Sequence, residues 1–253
     1  MGDELITNGP SPMYIQLREI IRSRIDDGEY IPGSAIPSES ELAQAFGLHR
    51  LTVRSAITAL VNEGLIKPVQ GKGVFVVGKK MHRDLERLTG FRQTMRERDA
   101  VPETRVLFMA RRPAGLKYAR ILEIAPQDEI FALRRLCFAS GAPVSIEDIY
   151  IPCAVLNDLD RVDLNVFSLF DIYEFNHIHL STAWQTLSVT TLDARDARTL
   201  KINPEMAVLM FDCVSRDETG RVIEFSQSFT RSDRASFTVH YSRAGVPHQP
   251  GEK

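Results

Sequence analysis

The chain has 253 residues, 43% of them hydrophobic and 25% charged, with a formal net charge of -2. That length suggests about two domains, and the composition excludes a disordered tail, a collagen-like fibre and a disulfide scaffold. No apolar run nears the ~20 residues that span a bilayer, Met1-Gly2-Asp3-Glu4 lacks the features of a signal peptide, and three cysteines without CxxC spacing suit reduced thiols. These features predict a cytoplasmic chain without a membrane partner.

Tyr14, Leu17, Ile21 and Ile25 recur at helical spacing, and Gly28 and Pro32-Gly33 mark a stop and a turn after them. Ser38-Glu39-Ser40-Glu41 has the pattern of a capping box and opens a short helix to about Phe46, which ends at Gly47-Leu48. A third helix is predicted from near His49 to about Asn62, with Val53, Ile57, Leu60 and Val61 inward and Gly64 as its stop. A short helix, a turn and a second amphipathic helix make a helix-turn-helix. Leu65–Val69 and Val74–Val77 then form a hairpin whose tip is Gln70-Gly71-Lys72-Gly73, the shape of a wing.

Charge is distributed to match. Between Gly47 and Arg83 stand Arg50, Arg54, Lys67, Lys72, Lys79, Lys80 and Arg83, opposed only by Glu63. Such a basic block within an acidic chain is either a solvated face or a polyanion-binding surface. Arg50, Arg54 and Thr58 share the helix face opposite the apolar stripe. The first residues of a helix that enters the major groove reach base edges there, where arginine can chelate guanine.

Residues 12–77 resemble the winged-helix DNA-binding domain of the GntR family of bacterial transcriptional regulators. The matching stretches are Pro32-Gly33, Ile36 to Ala43, Arg50 to Ala56 and Gln70 to Val76. The resemblance implies DNA contacts by His49, Arg50, Thr52, Arg54, Lys72 and Gly73. Two positions depart from the family: Ser40 stands where an arginine is usual, and His49 replaces a serine. As a poorer cap, His49 is expected to touch a phosphate or base instead.

Beyond a charged connector the pattern becomes β-runs: Thr104–Ala110, Ile130–Ala139, Val144–Ile151, Thr182–Leu192, Ala207–Ser215, Val222–Thr230 and Ser236–Tyr241. Helices are predicted over Gly115–Ile124, Val166–Phe175 and Ala194–Leu200, the last capped by Asp193. Long hairpins with few helices indicate an α+β domain with one twisted antiparallel sheet. Trp184 is expected in the core.

This half resembles the UTRA effector-binding domain of the HutC-type GntR regulators, whose fold is similar to chorismate lyase. The resemblance rests on Leu88-Thr89-Gly90-Phe91, Gly141-Ala142-Pro143-Val144, Tyr150-Ile151-Pro152, Ser168-Leu169-Phe170, Gly220 to Glu224 and Thr230 to Arg234. It implies an effector site at Thr89, Phe91, Arg135, Cys137, Glu147, Ser168, Phe170, Glu224 and Arg231. Cys137 occupies the place of the family's second arginine, and strand alternation turns Arg134 to the other face. A site with one arginine suits a carboxylate or a less charged sugar better than a phosphate dianion. Cys137 is equally readable as a small buried apolar side chain.

The expected organisation is a winged helix-turn-helix over 1–78, a linker over 79–87 and an effector-binding domain over 88–253. No enzyme is expected: strand carboxylates such as Glu147 and Glu224 beside arginine more often pair or hold a ligand than catalyse. His177 and His179 lack a third metal ligand, and Gly71-Lys72-Gly73 lacks the rest of a P-loop. The reading is a ligand-responsive regulator without cofactor, most simply a repressor. It would bind a palindromic double-stranded operator as a homodimer and answer to a small-molecule effector. The alternatives are a chorismate-lyase-shaped enzyme fused to a DNA-binding module, and a constitutive DNA-binding structural protein.

Overall fold

A computed structural model describes residues 11–77 and 102–234. Three helices, α1 (Met13–Asp26), α2 (Glu39–Phe46) and α3 (Arg50–Asn62), precede a hairpin of β1 (Ile66–Val69) and β2 (Gly73–Val76). Leu17 and Ile21 of α1, Leu42 of α2, and Val53, Ala56 and Leu60 of α3 close one small core with Ile66 and Val76. The segment after α1 joins the hairpin, since Gly33 N donates to Val76 O and Ile36 N to Val74 O, each at 2.9 Å. α2 begins with the expected capping box, Ser38 N donating to Glu41 at 2.7 Å, and ends at Gly47 in the left-handed conformation.

The second part is a six-stranded antiparallel sheet in the order β3-β4-β5-β8-β7-β6. Its strands are β3 (Pro102–Pro113), β4 (Glu129–Ala139), β5 (Ala142–Pro152), β6 (Leu180–Thr190), β7 (Val208–Asp217) and β8 (Val222–Arg231). The helices are α4 (Gly115–Leu122), α5 (Leu169–Phe175) and α6 (Ala194–Leu200). One face of the sheet is covered by α4, through Ala119 and Leu122 on Ile130 and Phe225, and by α6, through Ala197 and Leu200 on Leu136, Ile146 and Val208. On the other face, the segment 153–180 with α5 packs over Phe131, Leu133, Ile149 and Ile151. β4 is therefore buried on both sides, which accounts for its nearly unbroken apolar run.

Two arginines interrupt that run. Being consecutive on a strand, Arg134 and Arg135 point to opposite faces, and β5 opposes each with a carboxylate in register, Asp148 and Glu147. Arg134 donates from Nε and Nη2 to Asp148 at 2.6 and 2.8 Å and from Nη1 to Asp196 of α6 at 3.0 Å, tying helix to sheet.

Two expectations change, and a third is not tested. Trp184 is 80% exposed rather than in the core, because β6 is an edge strand and neither covering helix reaches it. α5 starts at Leu169 rather than Val166, because Ser168 and Asp171 form a capping box there. The expected strand Ser236–Tyr241 lies outside the described residues.

Candidate DNA-binding surface and effector site

Arg50, Leu51, Arg54, Ser55 and Thr58 are exposed along α3, and a shallow groove there is lined by Leu51, Arg54, Ser55 and Thr58. His49 does cap the helix: its Nδ1 accepts from the Leu51 amide at 3.3 Å. A neutral ring that accepts at Nδ1 carries its proton on Nε2, which leaves that edge as a donor. Thr52 is half-buried. Arg54 donates to Glu39 from Nε at 3.1 and 3.2 Å and from Nη2 at 2.8 Å. Hydrogen bonding to Arg54 holds the Glu39 carboxyl below its ordinary pKa. At the wing tip Gly73 has φ 111°, open to glycine alone among common residues, and Lys72 Nζ stands 4.0 Å from Asp163.

Leu51 was not among the expected contacts. A leucine 64% exposed on the first turn of this helix is the signal that finds it, since apolar groups there can meet thymine methyls.

Four of the residues expected to bind an effector, Arg135, Cys137, Glu147 and Glu224, share the face of the sheet opposite α4 and α6. Arg135 Nε donates to Glu147 at 2.6 Å, with both side chains largely buried. Burial opposes the Arg135 charge, but Glu147 and Glu224 outweigh it and hold the guanidinium above its ordinary pKa. Glu224 is 7% exposed and accepts from the Tyr173 hydroxyl at 2.6 Å. Its carboxyl is pushed up by burial, against the hydrogen bond from Tyr173 and the charge of Arg135. Cys137 is fully buried, and burial raises its thiol. Its register neighbour Ser145 is buried, and among the described residues its hydroxyl has no hydrogen-bond partner beyond a weak contact to that sulfur. On β8, Ser226, Ser228 and Thr230 continue the same face, opposite Ile149, Glu147 and Ser145, and all three are half-buried.

Not every expected residue joins them. Arg231 is in register with Val208, whose side chain packs under α6, so it projects to the opposite face. There it donates to the Leu200 carbonyl at 3.2 Å and pairs with Asp233. The Ser168 hydroxyl is engaged in its cap, donating to Asp171 at 2.7 Å. Phe170 packs edge-on to Tyr173 with ring centroids 6.4 Å apart. Thr89 and Phe91 lie outside the described residues. Tyr173 went unrecognised in the sequence because its partner is 51 positions away.

Two family models match the chain: bacterial regulatory proteins, gntR family, over residues 13–76, and the UTRA domain over 97–236. The chain belongs to the gntR family. Like other gntR-family chains with a UTRA domain, it is a DNA-binding transcriptional regulator and not an enzyme. It is 33% identical over 233 residues to the HTH-type transcriptional repressor NagR of Bacillus subtilis (strain 168), covering 92% of this chain and 95% of that one. It is 29% identical, over 91% and 96% of the two chains, to MngR of Escherichia coli (strain K12), the mannosyl-D-glycerate transport/metabolism system repressor. The fold is similar to that of PhnF from Mycobacterium smegmatis, with a TM-score of 0.59 at 22% identity, covering 90% of this chain and all of that one. No helix among the described residues is long and apolar enough to cross a membrane.

Proposed function

We propose that this gntR-family regulator is a repressor that binds a palindromic operator as a homodimer and is released by a small sugar-type metabolite. Arg50 and Arg54 read base edges, with His49, Thr52, Lys72 and Gly73 on the phosphates beside them. The effector lies over Arg135, Glu147 and Glu224, flanked by Cys137, Ser168 and Phe170, and the proposed contacts also include Thr89 and Phe91, outside the described residues. Arg231, turned to the other face, is left out.

The observation that carries the ligand class is the pairing of Arg135 with Glu147 beside Glu224. One cation already met by a carboxylate is a weak trap for a further anion. Carboxylates, a guanidinium and serine and threonine hydroxyls together match sugar hydroxyls, each of which both donates and accepts. MngR, a repressor of a mannosyl-D-glycerate system, is a relative of the same layout.

The test is a thermal-shift panel of neutral sugars, amino sugars, sugar acids and sugar phosphates on the full chain, followed by release of a selected operator duplex. A hit confined to sugar phosphates or non-sugar carboxylates would refute the ligand class. A hit that leaves operator binding unchanged would refute the release.

A further inference from the structure

The winged helix is seated on the effector domain through a surface that neither DNA binding nor the effector site explains. Gly33, in the turn before the hairpin, has φ 88°, and a Cβ there would lie 2.8 Å from Ile172 Cδ1 and 2.9 Å from Val162 Cγ1. Backbone therefore meets side chain directly, and any residue larger than glycine would be strained at this φ and would push the Ile172 and Val162 methyls aside. The Asp163 amide donates to the Gly33 carbonyl at 3.3 Å. Phe75 of the wing is 3% exposed and meets Phe167 edge-on, centroids 6.0 Å apart. Lys72 stands against Asp163. The tip residues Gly71 to Gly73 stay exposed, so what the seat engages is Phe75 at the base of the wing and the Lys72 ammonium, which DNA would have to share with Asp163.

The seat also touches the effector cluster. Ile172 and Tyr173 are adjacent on the seven-residue α5. One contacts Gly33, and the other donates its hydroxyl to Glu224 beside Arg135. A helix this short moves as one body, so whatever occupies the Glu224 carboxylate displaces or fixes both contacts together.

We propose that Val162–Tyr173 is a docking surface for the winged helix of the same chain, that docking withholds Lys72 and the wing from DNA, and that the effector acts by favouring the docked arrangement through Tyr173. This rests on the proposed DNA-binding and effector roles. Operator and docking surface then compete for one wing, and differential affinity for the two arrangements is the only source of coupling required.

Hydrogen exchange on the full chain tests it, with an operator duplex enriched by this protein from a random pool. Adding the duplex should slow exchange over 50–58 and speed it at least about fivefold over 159–168, where the Asp163 amide loses Gly33. Slowing at 50–58 with no change at 159–168 would overturn the docking proposal alone. No slowing at 50–58 would overturn the DNA-binding reading and this inference with it.

Two variants give the sign. Asp163→Asn keeps the side-chain oxygen that accepts from the Asn165 amide at 2.8 Å but removes the charge facing Lys72. It should tighten operator binding about two- to fivefold, the range of an exposed ion pair, and steepen the salt dependence by about one unit. Tyr173→Phe should also tighten binding in the absence of any effector, whereas simple damage to the fold would weaken it. Unchanged or weaker operator affinity in both variants would refute the proposal.

Discussion

Arg54 on the third helix and Glu39 on the second form a two-pronged ion pair, with Nε and Nη2 of the guanidinium both turned to the carboxylate. The pair leaves the Nη1 edge of Arg54 directed away from the protein's own acid. In the proposed DNA-binding role of Arg54, Glu39 is a positioning residue: it would hold the fork toward DNA while adding a negative charge near the phosphates. These two effects have opposite signs.

Arg50→Ala and Arg54→Ala should each lose about 1–3 kcal/mol of discrimination between operator and unrelated DNA, with unfolding midpoints unchanged. Glu39→Ala should weaken operator binding although it removes a repulsive charge. Tighter binding by that variant, measured by fluorescence anisotropy at two salt concentrations, would mean that Glu39 acts through its charge alone.

Leu51 supplies a second test of the same helix. A buried methyl contributes ~0.8 kcal/mol, so replacing contacted thymines by uracils should weaken binding about fourfold in the parent chain. In Leu51→Ala the thymine and uracil duplexes should bind alike. A persisting difference would move the methyl contact to another residue.

Glu224 predicts a dependence of stability on pH. Burial raises its carboxyl above the ordinary value of 4.5, so the folded chain binds this proton more tightly than the unfolded chain. Its stabilising contribution is full below the unfolded pKa and is lost as pH rises through the folded one. Glu224→Gln, which can still accept from Tyr173, should therefore raise Tm at pH 7 and lose that advantage toward pH 4.5. A Tm difference flat over this range would count against the assignment.

On the opposite face, Arg134 serves two partly buried carboxylates, Asp148 and Asp196, 15% and 14% exposed. Arg134→Ala strands both, and should cost about 3 kcal/mol in urea unfolding. A loss below about 1 kcal/mol would show that water replaces the guanidinium without difficulty.

Much of the winged helix is legible in the sequence because its signals are local. Ser38 and Glu41 are three residues apart, Gly47 directly follows its helix, and the inward face of α3 repeats within thirteen residues. Even so, Pro32-Gly33 reads only as a turn, since what Gly33 touches lies some 130 positions further on. In the sheet domain most strands are visible but their order is not. Strand order decides that Trp184 sits on an edge, that Arg231 turns toward α6, and that Tyr173 reaches Glu224. Arg135 and Glu147 are visible as charges on apolar strands, but only the register of β4 against β5 makes them partners.

Trp184 is the chain's one tryptophan, on the outermost strand and on the opposite side of the sheet from Arg135. Intrinsic emission excited at 295 nm therefore reports a single solvated indole, red-shifted in the dilute chain. No sugar placed over Arg135 can quench it by contact. A blue shift on concentrating the protein would record this strand becoming covered, and a shift on adding effector would record a change carried through the sheet.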